Sequence, residues 1–215
     1  MEQRKIMNIR NWIAYLLGVC IIQFGVAIFL ELNLGSDPFT IFTQGVARTF
    51  EITPGMANRI LTVIILGILL FCDRRYINIG TIVAIIGAGF VMDGMLVLVE
   101  PLKLETLPMV VRIVLFILNC GVIGIGFPMM KLSGLGLAPN DIIYMTLVEH
   151  LDKPYSVVRM SVDTVYLVLG FLMHGVVGIG TVICIMCLGP IMGLVMKHIE
   201  KYILMLLGKE NAYYQ

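Results

Sequence analysis

The chain has 215 residues, of which 59% are hydrophobic and only 13% charged, and its mean hydropathy is +0.97. A soluble fold needs polar surface to face water, so 15 Lys+Arg and 14 Asp+Glu bunched between long apolar runs exclude a secreted domain and a cytosolic enzyme. A net charge of +1 and the lack of a basic stripe interleaved with aromatics exclude nucleic acid as a partner, which leaves membrane lipids.

Arg4, Lys5 and Arg10 precede an apolar run that begins at Trp12. A cleavable signal core is usually ~7–15 residues ending in small residues, and this run is longer, so it reads as a first membrane span. The fragment Leu17-Gly18-Val19-Cys20 has branched Val19 where a lipoprotein box needs a small residue, so no lipid anchor is expected. Stretches long enough to cross a ~30 Å hydrocarbon core run at about residues 12–32, 56–72, 77–99, 108–130, 156–173 and 176–196. Six spans are predicted. All are helical, because an unpaired backbone amide in lipid costs several kcal/mol and no alternating barrel-strand pattern occurs. The fold class is therefore all-α, a polytopic membrane protein.

The first linker, residues 35–54, opens with Gly35, Asp37 and Pro38, and the second, residues 136–154, with Gly136, Pro139 and Asp141. Ser36-Asp37-Pro38 supplies a cap followed by a proline at the first helical position. Phe39, Phe42, Val46 and Phe50 then recur at helical spacing opposite Gln44 and Arg48. A helix of about twelve residues covers ~18 Å at ~1.5 Å per residue, too little to cross. It either lies flat on the membrane surface or dips into it as a re-entrant half-helix.

With six crossings, one face holds the N-terminus, the 73–76 turn, the second linker and the C-terminus. That face carries Arg4, Lys5, Arg10, Arg74, Arg75, Lys131, Lys153, Lys197, Lys201 and Lys209, against Arg48, Lys103 and Arg112 on the other. The excess of cations predicts both termini in the cytoplasm, with the His174-Gly175 turn, free of Lys and Arg, outside.

A shift of about one hundred residues lays Leu34-Gly35 and Pro38 on Leu135-Gly136 and Pro139, and Gly25 on Gly126. With a one-residue gap, Pro54 meets Pro154, Arg59 meets Arg159, and Ile79-Gly80-Thr81 meets Ile179-Gly180-Thr181. Apolar helices match by chance at Ile and Met, so the weight rests on the Pro, Arg and Gly-Thr positions. The chain is predicted to be one membrane unit of two repeats, residues 1–105 and 106–215. Three spans per copy is an odd number, so the second copy enters the membrane inverted, the architecture of many secondary transporters.

On the Gly35-Ser36-Asp37-Pro38 linker after the first span, the later Gly178-Ile179-Gly180-Thr181 stretch and its length, the sequence resembles the YczE/YitT-type family of bacterial multi-pass membrane proteins, most closely its YczE branch. Where that family has Trp-Asp after the linker proline, the first copy here has Phe39-Thr40 and the second Asn140-Asp141. The resemblance implies a bacterial inner-membrane protein of unsettled activity and no particular substrate.

An ionisable group at bilayer depth points to function. Asp93, beside Gly89 and Gly94 in the third span, has no charged neighbour within a helical turn and is a candidate for binding a cation, a proton or a substrate amine, or for bonding a neighbouring helix. Asp163 follows Arg159 by four residues, a pairing that lowers the insertion cost of both. The duplicated Arg59 and Arg159 are expected to reach headgroups or to hold an anion. Gly80, Thr81, Gly180 and Thr181 are expected to permit close helix contact, as are Gly189 and Gly193.

Cys20, Cys72, Cys120, Cys184 and Cys187 fall in or beside apolar spans and read as small hydrophobes; Cys184 and Cys187 have the spacing of a metal pair but no second pair accompanies them. The 15 methionines read as gap-filling or lipid-facing, so no metal or cofactor is expected. With only His150, His174 and His198, and no zinc, nucleophile-elbow or phosphate-loop motif, catalysis is not expected. The leading expectation is a small-solute transporter or permease whose linkers gate opposite faces. The alternative is a non-transporting scaffold or regulatory partner of another membrane protein, docking through the Gly189/Gly193 face or a linker, or a homo-oligomer.

Overall fold

The computed structural model describes residues 9–72, 74–75, 77–175 and 177–208. Arg4, Lys5, Asp73, Tyr76, Val176 and Lys209, which bear on the expected topology, lie outside the described residues. The helices are α1 (Ile9–Leu32), α2 (Pro38–Thr49), α3 (Pro54–Cys72), α4 (Ile79–Val99), α5 (Met109–Ser133), α6 (Pro139–Leu151), α7 (Tyr155–Leu172) and α8 (Ile179–Leu206), with two 3-10 turns between α4 and α5. Among the described residues there is no strand, so the all-helical expectation holds.

Five helices are long and apolar enough to cross a membrane: α1, α4 with the turn that follows it, α5, α7 and α8. The remaining expected span, α3, offers the shorter apolar stretch Met56–Phe71. The outward surface is apolar, with Phe71 90% and Phe90 73% exposed, which is the surface a bilayer covers and water does not tolerate. The molecule is a multi-pass membrane protein.

One boundary departs from the sequence pattern. The last span was expected to stop near residue 196, where Lys197, His198, Glu200 and Lys201 interrupt the apolar run. Instead α8 continues to Leu206, and Ile203 and Leu207 pack with Ala14 of α1 along the added turns. Hydropathy marks where lipid ends, whereas packing decides where the helix ends.

At the centre, α1 and α5 run antiparallel. Phe29 stacks on Phe116 with ring centroids 4.0 Å apart, and Asn119 Nδ2 donates to the Gly25 carbonyl at 2.7 Å. Farther back along α1, Gly18 faces Gly126 and Met130. Lipid tails provide no hydrophobic drive for helix pairing, so such interfaces depend on small residues that let backbones approach and on interhelical hydrogen bonds. Around this pair, α4 packs along α1 and α8 along α5, while α2 lies against α7 and α3 touches α2 and α6.

Two contacts recur with the helices exchanged. Just past α1, the Leu34 carbonyl accepts from Gly180 N at 2.7 Å; just past α5, the Leu135 carbonyl accepts from Gly80 N at 2.8 Å. So α1 ends on the start of α8, and α5 ends on the start of α4. Next in the chain, Gly35 (φ +107) faces Thr181 and Gly136 (φ +114) faces Thr81, and a Cβ on either glycine would lie 2.6 Å from the threonine Oγ1. Both the left-handed backbone and the space require glycine there. The short helices are tethered at their far ends in the same exchanged manner: Arg48 Nη1 donates to the His174 carbonyl at 2.8 Å, and Arg75 pairs with Glu149 at 2.6 Å.

Candidate functional site

Each short helix begins with a proline at its first position, and its first turn lies inside the bundle. At the start of α2, Asp37 Oδ1 accepts from Thr40 N at 3.1 Å and Oδ2 accepts from Thr40 Oγ1 at 2.6 Å, which is the cap expected from Ser36-Asp37-Pro38. From there α2 follows α7 in the same direction. Phe39 and Phe42 pack on the Tyr166 ring at 5.3 and 5.8 Å, Gly45 meets Gly170 and Met173, and Arg48 reaches His174. Because Tyr166 is six residues before the end of α7, α2 starts about 9 Å inside that end at ~1.5 Å per residue. Its buried residues Phe39, Ile41, Thr43, Gly45 and Val46 cover most of the helix circumference, leaving the side of Thr40, Gln44 and Arg48 less covered.

On the other side, α6 follows Ala138, which provides no side-chain cap, and Asp141 stands in its first turn, 9% exposed. One turn farther, the Tyr144 hydroxyl donates to Asp163 Oδ1 at 2.6 Å. Arg159 Nη1 donates to the Tyr155 hydroxyl at 2.8 Å, and the guanidinium carbon lies 4.7 Å from the centre of the Tyr144 ring. Arg159 Nε and Asp163 Oδ2 stand 3.5 Å apart, an ion-pair distance, and neither atom has a hydrogen-bond partner among the described residues. Asp163 is 1% and Arg159 8% exposed. Asp141 and Asp37 lie within electrostatic reach of Asp163, and Asp141 also of Arg159.

The cluster therefore sets Asp163 and Asp141 against one guanidinium, with Asp37 near the two carboxyls and Tyr144, Tyr155 and Tyr166 beside them. Arginine suits the role because its planar fork serves several acceptors at once and also stacks on an aromatic face. A cavity of about 530 Å³ opens at the end where α1 meets α2, lined by Asn33, Ser36, Gln44, Arg48 and Glu51. Ser36 lines it, and the Ser36 Oγ donates to Asp37 Oδ2 at 3.4 Å.

Of the residues singled out in the sequence, Asp37, Pro38, Pro139, Asp141, Arg159 and Asp163 come together in this centre. Asp93 does not. It is exposed on the outward side of α4, where a Cβ on Gly89 or Gly94 would meet open space. Arg59 is likewise exposed, near the start of α3, while its sequence counterpart Arg159 is buried. Gly35, Gly136, Gly80, Thr81, Gly180 and Thr181 form the exchanged helix crossings. Gly189 sits against Ser156 of α7, with 3.2 Å between a built Cβ and the Ser156 carbonyl, whereas Gly193 has open space.

Sequence reasoning missed Tyr144, Tyr155 and Asn119. Tyr155 stands one helical turn before Arg159 on the same face, a signal that was readable; Tyr144 and Asn119 act across helices and leave no local pattern. Cys20, Cys120, Cys184 and Cys187 are free thiols.

A model of the family of unknown function DUF6198 matches residues 9–197 of the chain. The chain is 26% identical to the uncharacterized membrane protein YczE of Bacillus subtilis, over 89% of this chain and 86% of that one. It is 25% identical to an uncharacterized protein of Haemophilus influenzae, over 82% and 78%, and 24% identical to the uncharacterized protein YyaS of Bacillus subtilis, over 90% and 96%. No solved structure matches the chain.

Proposed function

The chain belongs to the DUF6198 family, and from that premise we propose that it is a small-solute transporter or permease of the bacterial cytoplasmic membrane. The observation that carries the reading is the buried Arg159–Asp163 pair with Asp141, placed where two short helices begin inside the bundle. A charged side chain at the centre of a membrane helix costs about 2.5–3.5 kcal/mol by insertion scales, and a purely structural bundle has no need of it. Interrupted helices whose N-termini meet at a polar centre are how many transporters hold solute and coupling ion.

In this reading residues 1–105 and 106–215 are inverted copies, α3 is the sixth span, and both termini are cytoplasmic. The antiparallel α1 and α5 support it, as do the exchanged Leu34–Gly180 and Leu135–Gly80 contacts. The two short helices, tethered at Arg48 and Glu149, are the elements that gate opposite faces. The reading assigns no catalytic chemistry and no cofactor.

Proteoliposomes holding the purified chain test it, with currents recorded against panels of amino acids, organic acids and sugars. A solute flux that disappears in Asp163→Asn and persists in Asp93→Asn supports transport. A flux unchanged when Arg159→Met and Asp163→Leu are combined removes this centre from the pathway.

Asp93 favours the second reading, a non-transporting scaffold. Its carboxyl stands among exposed Ile86, Phe90 and Val97, with no hydrogen bond or ion pair among the described residues. A neighbouring membrane protein that offers a donor relieves that exposure. One partner that co-purifies through this face and is lost in Asp93→Leu, together with absent flux, decides for the scaffold.

A further inference from the structure

We infer that the cavity between the end of α1 and α2 binds a small zwitterion of the α-amino acid class, with Arg48 taking its carboxylate and Glu51 its ammonium group; the inference deepens the transport reading and rests on it only for calling that ligand the solute carried. The cavity, about 530 Å³, falls within the ~300–1,000 Å³ of small-molecule sites. Of its lining residues, Ser36 and Ala47 are buried, while Asn33, Arg48 and Glu51 are exposed and form its open side.

Neither charge on that side is neutralised. Arg48 sends Nη1 to the His174 carbonyl at 2.8 Å, which holds the guanidinium in place, and its side chain makes no other hydrogen bond or ion pair among the described residues. Glu51 follows on the same chain segment, its backbone N donating to the Arg48 carbonyl at 3.4 Å, and its carboxylate has no partner among the described residues, Arg48 included. A cation and an anion that line one cavity without pairing match a ligand that carries both charges close together, because each meets its opposite and no net charge is brought in. The remaining N–H groups of the guanidinium form a planar fork suited to a carboxylate.

Gln44 lines the cavity one helical turn before Arg48. Its amide makes no hydrogen bond among the described residues, and its Oε1 is buried. The last torsion of a glutamine is broad and roughly two-fold, so a half-turn offers the cavity either the NH₂ group or the carbonyl. A buried polar atom left without a partner calls for an explanation, and a ligand with its own donors and acceptors supplies one. Leu30 and Ile52 add apolar surface for the ligand's side chain.

The backbone provides an independent argument. Glu51 stands at φ +54 just past α2, and Ile52 N donates to the Ala47 carbonyl at 2.9 Å, a helix ending that usually has glycine at the left-handed position. Folding alone favours glycine there, and the Glu51 carboxylate has no bond within the protein to offset the strain. A second non-glycine residue in the left-handed region, Asn33 at φ +47, lines the same cavity.

The test is binding to the full chain in lipid nanodiscs, read as melting temperature and by calorimetric titration. The L-amino acids are added one at a time, followed, for each that binds, by the amine lacking its carboxylate and the acid lacking its ammonium group. We expect at least one L-amino acid to raise the melting temperature and both fragments to fail. Glu51→Gln and Arg48→Gln are each expected to weaken its binding by about tenfold or more. Glu51→Gly separates binding from folding: relieved of left-handed strain, it should melt at or above the parent without ligand and still bind about tenfold more weakly. Absence of amino-acid binding, a fragment that binds as tightly as the whole ligand, or unweakened binding in Glu51→Gly overturns the assignment. Binding without flux in proteoliposomes leaves the site standing and sinks transport, whereas flux of another class of solute with no amino acid bound keeps transport and sinks the site.

Discussion

The Tyr144 hydroxyl donates a 2.6 Å hydrogen bond to the Asp163 carboxyl, fastening the short helix α6 to the spanning helix α7. Both residues are buried, so removing the donor leaves a carboxyl oxygen that water cannot reach. A hydrogen bond to a charged group contributes about 1.5–3 kcal/mol. Tyr144→Phe is therefore expected to lower the melting temperature of the purified protein by that equivalent. Tyr166→Phe is the matched comparison, because its ring packs on Phe39 and Phe42 while its hydroxyl makes no hydrogen bond among the described residues, and it is expected to change stability by less than about 0.5 kcal/mol.

The Arg159–Asp163 pair gives an asymmetric expectation. Neutralising one partner strands the other charge away from water and destabilises by about 3–5 kcal/mol, whereas replacing both with apolar groups of similar size is near neutral or stabilising. Asp163→Asn and Arg159→Met should each melt well below the parent, and the Arg159→Met/Asp163→Leu double variant should recover most of the loss. A double-mutant cycle in thermal unfolding measures this. Additive losses in the double variant would mean that the two side chains are not coupled.

Much of this centre was readable in the chain, and the reasons differ by residue. Asp37 and Pro38 declare a helix start by capping chemistry that needs only four consecutive residues, and the i,i+4 spacing of Arg159 and Asp163 declares their pairing. The duplicated Gly and Thr positions drew notice by repetition, and they sit at helix crossings. What stayed hidden was which face of each helix looks inward. In a soluble protein the polar face looks outward, but spanning helices are apolar all round, so α4 gives no periodicity to show that Asp93 faces away from the bundle. The contrast between exposed Arg59 and buried Arg159 was, by comparison, legible: Arg159 has Tyr155 and Asp163 one turn to either side, where Arg59 has Gly55 and Val63.

Gly35 and Gly136 should be the least replaceable glycines. Both hold positive φ, and both abut a threonine at the start of a spanning helix, so alanine meets backbone strain and a clash at once. Gly35→Ala and Gly136→Ala are expected to destabilise by more than about 1 kcal/mol each, read as loss of folded protein in a detergent melt. Gly193→Ala, where the added methyl meets open space within a helix, should be neutral or slightly stabilising because alanine restricts the unfolded chain.

The relative direction of the two short helices can be read by chemical labelling. With α1 and α5 antiparallel, α2 ends beside the turn between α7 and α8, and α6 ends beside the turn between α3 and α4. Those turns lie at opposite ends of the bundle, since α8 begins where α1 stops and α4 begins where α5 stops. In a chain whose native cysteines have been replaced, a membrane-impermeant maleimide applied to intact cells is expected to label Arg48→Cys, and to label Glu149→Cys only after the inner face is exposed. Thr43→Cys, at a position only 4% exposed, should resist the reagent from both faces because that part of α2 is covered by protein. Labelling of Arg48→Cys and Glu149→Cys from the same face would place both short helices on one side of the membrane. The exchanged contacts at Leu34 and Leu135 would then have to form on one surface, which antiparallel α1 and α5 do not permit.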